Sequence, residues 1–193
     1  MKSVGDAVLL LRQGEIVGMP TDTVYGLAVD PRLGAAVDRL YQLKGRSQDR
    51  PLSLLVGSLD DARRIAALTD EVAKVAARHW PGPLTLVLRA NRELPTWIGD
   101  QERQTVGLRV PDHPAALALL AEAGPLAVTS ANRSGQPPAF DHSEAELMFG
   151  ADVAGYLDGS GSGGEASTVV DFSVTPPRVL RAGPVSLAEV AQT

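Results

Sequence analysis

The chain has no cysteine. That absence excludes disulfides, thiolate metal sites and a cysteine nucleophile together. Aromatic residues are scarce as well, at 4% of a chain that is 44% hydrophobic, so the core must be built from Ala, Val and Leu. No apolar run reaches the length that spans a bilayer, and residues 1–11 lack the apolar segment and small-residue cleavage site of a secretory signal. A cytoplasmic protein without membrane association is the expectation. Positive charge is not in excess either. The net charge is −5, so the surface as a whole repels nucleic acid and any RNA contact would need a local basic patch. The three histidines, His79, His113 and His142, stand far apart and in no metal-ligand spacing, so no structural metal is expected. Repeats, charge blocks and a linker between two cores are also missing. The 193 residues then fit one domain, residues 1–193.

What is present is organised around Met19-Pro20-Thr21-Asp22-Thr23-Val24-Tyr25-Gly26-Leu27, followed a short helix later by Lys44-Gly45-Arg46. Residues 16–19 read as a short buried strand, and Pro20 and Gly26 bracket a hydroxyl-rich turn just past its end. Open α/β sheets bind ligands at such strand ends. Thr21, Asp22 and Thr23 offer short hydrogen-bonding groups, and Lys44 and Arg46 could turn an ammonium and a planar fork toward one anion. Taken alone, the stretch fits equally well a strand-to-loop turn with two solvated bases on a helix end.

Residues 3–13 have helical spacing, with Gly14 as a stop. Residues 33–43 form a second helix, which delivers Lys44 and Arg46 from its end, where a cation suits the dipole. Strands are expected at 51–56, 84–88, 105–110, 126–129, 168–172 and 179–180. Residues 60–67 and 70–79 read as short helices with aspartate caps, broken by Trp80-Pro81-Gly82-Pro83. Residues 91–104 read as polar, irregular and mobile, and residues 114–123 as a helix. Capping boxes are expected at Ser143 to Glu146 and at Ser186 to Glu189. The glycine-rich residues 159–164 read as a flexible surface loop, because they lack the lysine and strand-to-helix context of a phosphate-binding loop.

Ser130-Ala131-Asn132-Arg133-Ser134-Gly135 repeats the small, polar character of the opening stretch directly after a buried strand. No nucleophile elbow surrounds Ser130, so hydrogen bonding to a ligand is the better role for Ser130 and Asn132. Lys44, Arg46, Arg50, Arg109 and Arg181 stand at element ends. Each alone reads as surface, but as a set in an acidic chain they suggest a concave site for a polyanion such as a nucleoside triphosphate.

These motifs, with Trp80-Pro81-Gly82-Pro83-Leu84-Thr85, Val106-Gly107-Leu108-Arg109-Val110-Pro111, Ser130-x-Asn132 and Ser167-Thr168-Val169-Val170-Asp171, resemble the YrdC/TsaC family in order and over nearly the whole chain. The resemblance implies a twisted, open, mixed parallel/antiparallel α/β sheet with flanking helices and one basic concave face. It also implies ATP-dependent synthesis of L-threonylcarbamoyl-AMP from L-threonine, bicarbonate and ATP, with release of pyrophosphate, for threonylcarbamoyladenosine modification of tRNA next to the anticodon. Carried over by position, Lys44, Arg46, Ser130 and Asn132 would be catalytic; Thr23, Arg109 and Ser167 would bind threonine; and Arg46, Arg50, Thr105, Ser130 and Arg181 would bind ATP. Arg50 stands where longer members commonly have asparagine, and Leu55 where they have a histidine that helps hold threonine. Mg²⁺ would arrive with ATP, without a prosthetic group or a protein metal site. Transient contact with the tRNA threonylcarbamoyl-transfer proteins is implied, and direct tRNA binding is not required. Two other readings remain: a carbamoyl-transfer module of the hydrogenase-maturation type, and a non-catalytic RNA-binding or ribosome-assembly protein. Overall acidity and the lack of exposed aromatic stacking motifs count against the latter.

Overall fold

Local capping chemistry starts the chain. Ser3 Oγ accepts from the Asp6 backbone N–H at 3.2 Å and the Asp6 carboxylate accepts from the Ser3 N–H at 3.1 Å, a reciprocal cap that opens α1 (Val4–Arg12). The computed structural model describes residues 1–47, 50–161 and 164–191. After α1 come β1 (Val17–Met19), β2 (Gly26–Val29), α2 (Gly34–Lys44), β3 (Ser53–Leu55), α3 (Leu59–Ile65) and α4 (Asp70–His79). Then follow β4 (Leu84–Arg89), β5 (Thr105–Arg109), α5 (Pro114–Ala123), β6 (Leu126–Ser130) and α6 (His142–Phe149). The chain continues through β7 (Gly155–Tyr156), β8 (Thr168–Asp171), β9 (Arg178–Arg181) and α7 (Leu187–Ala191).

The strands form one mixed sheet in the order β7-β1-β2-β6-β3-β5-β4-β8-β9. Pairings β1–β7, β3–β5 and β4–β8 are parallel and the others antiparallel, so the expected mixed open sheet with flanking helices is the fold. Helices cover both faces. On one, Ala36, Val37, Leu40 and Tyr41 of α2, with residues of α3 and α4, bury Leu27, Leu54, Leu86 and Leu108. On the other, α1 and α5 bury Val17, Met19, Ala28, Leu55 and Leu126. This second face is only partly covered, and its open part becomes the cleft described below. Among the described residues no helix is long and apolar enough to cross a membrane.

Five expectations change. The stretch after Gly26 is a strand, β2, so the hydroxyl-rich turn closes an antiparallel β1–β2 hairpin rather than leaving the sheet. Helices α3 and α4 are capped by Ser58 and Thr69, whose hydroxyls accept from Asp61 and Val72, while Asp60 and Asp70 sit in the first turns. Helix α6 is capped by Asp141, not Ser143. Residues 91–104 are irregular but tied down: Leu94 and Ile98 are buried, Trp97 packs on Gly34, and Trp97 Nε1 donates to Pro31 O at 2.9 Å. Gly161, placed above in a free surface loop, is buried against the hairpin turn. A Cβ there would lie 2.7 Å from Thr23 O, and its N–H donates to Phe140 O at 2.6 Å. Ser162 and Gly163 of that loop lie outside the described residues.

Candidate active site

The hairpin turn is built by its own hydroxyls. Thr21 Oγ1 donates to Val24 O at 2.7 Å and accepts from the Thr23 N–H at 3.2 Å, which fixes the Thr23 side chain on the open sheet face. Arg109 approaches the same turn from the end of β5. Its Nε donates to Gly82 O at 2.9 Å, Nη1 to Thr23 Oγ1 at 3.0 Å and Nη2 to Asp22 Oδ1 at 2.5 Å. Three of its five N–H groups are thus committed, and the other two have no partner among the described residues. The side chain is only 6% exposed, and burial lowers its pKa against the opposing pull of Asp22.

A second wall comes from β6 and the end of α2. Gly45 takes a left-handed conformation, φ +59°, which ends α2 and turns the chain so that Arg46 borders the cleft. Arg46 Nε and Nη2 donate to the carbonyls of Arg50 and Pro51. Lys44 is buried behind this wall. Its Nζ donates to Ser130 O at 2.6 Å and to Asn132 Oδ1, and Asn132 Oδ1 also accepts from Ser130 Oγ at 2.6 Å. Burial, and then the neighbouring Arg46 charge, lower Lys44 to about 8.

The third wall joins β4, β8 and β9. Thr85 Oγ1 and Ser167 Oγ are 2.8 Å apart, and Arg181 clamps Ser167 with Nε on its carbonyl and Nη2 on its hydroxyl, both at 2.9 Å. Gly183 permits this approach, since a Cβ there would lie 2.5 Å from Ala166 O. The pKa of Arg181 is lowered by burial and then by the charges of Arg109 and Arg46, so the three guanidinium groups feel one another across the cleft.

Thr23, Arg46, Arg109, Ser130, Ser167 and Arg181 therefore border one cleft, together with Leu52, Leu55 and Val128. Lys44 and Asn132 sit just behind it, holding Ser130. Two expected residues are elsewhere. Thr105 lies at the opposite end of β5 from Arg109, bridged to Asp100, because three residues of strand separate the two. Arg50 is exposed, does not border the cleft, and contributes a carbonyl that holds Arg46. Sequence reasoning missed Ser53 and Thr85, both on the cleft floor, and the role of Asp22 as partner of Arg109. The signal for the first two is a hydroxyl inside an otherwise apolar strand. Among the described residues the cleft lining has no carboxylate, imidazole or aromatic ring, and no group of three His, Asp or Glu could hold a metal ion. Such a lining can neutralise and orient an anion, and offers no side-chain general base.

Comparisons with known proteins match this geometry. A protein of Mycobacterium tuberculosis is 42% identical over 193 residues, 99% of this chain and 88% of its own length. The threonylcarbamoyl-AMP synthase of Halorhodospira halophila is 40% identical over 169 residues, 86% of this chain and 88% of its own. Pyrococcus abyssi Sua5, solved in complex with L-threonine, superposes with a TM-score of 0.91 at 35% identity, over 98% of this chain and 56% of that one. The Sua5/YciO/YrdC family model, described as "Telomere recombination", matches residues 9–183. With this match over most of the chain and the same fold in Pyrococcus abyssi Sua5, the chain belongs to the Sua5/YciO/YrdC family.

Proposed function

We propose that this chain is an L-threonylcarbamoyladenylate synthase, joining L-threonine, bicarbonate and ATP into L-threonylcarbamoyl-AMP with release of pyrophosphate. The product would serve threonylcarbamoyladenosine modification of tRNA next to the anticodon. The activity of the related synthases supports the reading. The observation that carries it is the convergence of Arg46, Arg109 and Arg181 on a hydroxyl-lined cleft that, among the described residues, has no carboxylate or imidazole to act as a base.

The reaction asks for what this lining offers. The amine of threonine adds to carbon dioxide with loss of a proton to solvent, or to bicarbonate with loss of water. A carbamate oxygen then attacks the α-phosphorus of ATP, breaking its bond to the bridging oxygen so that pyrophosphate leaves. Both partners are anions, so holding them together and offsetting their charge is the main task. In this reading the two uncommitted N–H groups of Arg109 take the threonine carboxylate, and Thr23 and Ser167 hydrogen-bond the rest of that substrate. Arg46 and Arg181 meet the phosphates. Lys44 adds a positive charge behind Ser130, and Asn132 fixes both groups. Mg²⁺ enters as part of the ATP substrate, held by phosphates and water. A cytoplasmic setting and a transient contact with the proteins that transfer the threonylcarbamoyl group to tRNA belong to the same proposal. A non-catalytic RNA-binding role finds no stacking platform in the cleft.

Pyrophosphate release tests the reading. It is expected only when L-threonine and bicarbonate are present together, because the attacking carbamate is made from both. Equal release with threonine omitted would contradict it.

A further inference from the structure

We infer that Asp22 is a positioning residue for substrate recognition: it sets the orientation of Arg109 and Thr23 together and does not touch the substrate itself. The inference rests on the reading of the cleft as a threonine site. Asp22 is nine-tenths buried and does not border the cleft. Its Oδ1 accepts from Arg109 Nη2 at 2.5 Å and from the Asp112 backbone N–H at 2.9 Å. Asp112 follows β5 by three residues, so this one oxygen joins the hairpin turn of β1–β2 to the chain leaving the strand that carries Arg109. Arg109 Nη1 in turn donates to Thr23 Oγ1 at 3.0 Å. Asp22, Arg109 and Thr23 therefore form a closed circuit, with Asp22 on its buried side and the uncommitted N–H groups of Arg109 available to the cleft.

The second carboxylate oxygen distinguishes this arrangement from an ordinary structural ion pair. Among the described residues Asp22 Oδ2 is buried and has no hydrogen-bond partner. Most buried polar atoms have a partner, because an unpartnered acceptor is costly, so stability alone gives no reason for the unpartnered Oδ2. Asp22 uses only the oxygen that faces Arg109 and Asp112. The guanidinium, held from three directions by Gly82, Thr23 and Asp22, cannot swing toward solvent, so its remaining donors are set before the substrate arrives.

The test is a double-mutant cycle on threonine affinity, read as KM with ATP saturating and as calorimetric Kd. Asp22→Ala should weaken threonine roughly tenfold or more, the scale on which a displaced orienting group acts, while the KM for ATP and the kcat at saturating threonine stay near wild type. Asp22→Asn keeps an oxygen on Arg109 and Asp112 and should recover most of the affinity. Combining Asp22→Ala with Arg109→Ala should be no worse for threonine than Arg109→Ala alone, since Asp22 acts through that arginine. This double variant also removes the uncompensated buried cation, so it reports even where Asp22→Ala alone folds poorly. Additive losses, an unchanged threonine affinity in Asp22→Ala, or an Asp22→Asn variant as weak as Asp22→Ala would overturn the positioning role. If Arg109→Ala itself leaves threonine affinity unchanged, the underlying site reading fails instead.

Discussion

Two arginine–aspartate pairs stand at opposite ends of β5, and they are built differently. At the start of the strand, Arg103 Nη2 donates to Asp171 Oδ2 at 2.8 Å, and Asp171 Oδ1 accepts from the Ser173 N–H at 2.9 Å and from Ser173 Oγ at 2.6 Å. The anion is fully buried, both its oxygens are satisfied, and the cation is 37% exposed. At the end of the strand both side chains are nine-tenths buried or more, and among the described residues Asp22 leaves one oxygen without a partner while the guanidinium keeps two N–H groups uncommitted beside an open cleft. The first pair completes a carboxylate for the sake of the fold. The second holds a cation short of completion, the arrangement that the proposed anionic substrate calls for.

The sharpest way to break the contrast is to remove charge from the cleft. If Lys44 and Arg46 stabilise charge that develops on the phosphates, Lys44→Ala and Arg46→Ala should each lower turnover about a hundredfold or more, the cost of losing one preorganised contact at a reacting centre. Threonine affinity should hardly move in either variant. The melting temperature should hold in Arg46→Ala and fall in Lys44→Ala, whose buried ammonium bonds Ser130 and Asn132, so turnover is compared below both melts. Near-wild-type rates would return Arg46 to a surface role and Lys44 to a purely structural one.

A titration sharpens the same point. Lys44 titrates near 8 in the free protein, lowered by burial and then by Arg46. If its charge is needed, kcat/KM for ATP should fall roughly tenfold per unit as pH rises above that value, and Lys44→Arg should flatten the fall. The stability sign is opposite. Between about 8 and the ordinary 10.5 the unfolded chain binds more protons at this lysine, so the penalty for burying its charge fades and stability rises with pH over that window.

The smallest effect belongs to the structural pair. Burial alone would raise the Asp171 pKa, but hydrogen bonds from Ser173 and Arg103 outweigh it and hold the carboxyl below its ordinary range. Its stabilisation is therefore present above the unfolded value of about 3.9 and lost as pH falls through the folded one. Asp171→Asn should cost about 1–2 kcal/mol near neutral pH, since its exposed partner is screened by solvent. In denaturant melts the gap to wild type should close below about pH 4, with substrate affinities unchanged throughout.

The same contrast shows what a sequence can disclose. Local signals were readable: the helix expected over residues 114–123 is α5, opened by Pro114, and Arg46 leaves the end of α2 just after Gly45. Helix caps were misread where a serine or threonine stands just ahead of an aspartate, because both suit an N-terminus and only geometry decides which one caps. Strand β2 was hidden because four fully buried residues beside a turn motif carry no alternation. The site itself was half legible. Thr23, Arg46, Arg109, Ser130, Ser167 and Arg181 were found by motif and converge as a set, whereas Thr105, assigned to ATP by resemblance, lies at the far end of β5 from the cleft and Thr85 was not singled out as a site residue. The pairing of Asp22 with Arg109 spans 87 positions, and no spacing rule reaches that far.

Titrating L-threonine calorimetrically into the wild type, Arg103→Ala and Arg109→Ala, side by side, tests most directly whether the end of β5 carries the substrate site. Arg103→Ala should bind as the wild type does, and Arg109→Ala should bind about 30-fold more weakly or worse, from the roughly 2–5 kcal/mol that losing one partner of a buried charge pair costs. Equal affinity in all three proteins, or a loss confined to Arg103→Ala, would contradict it.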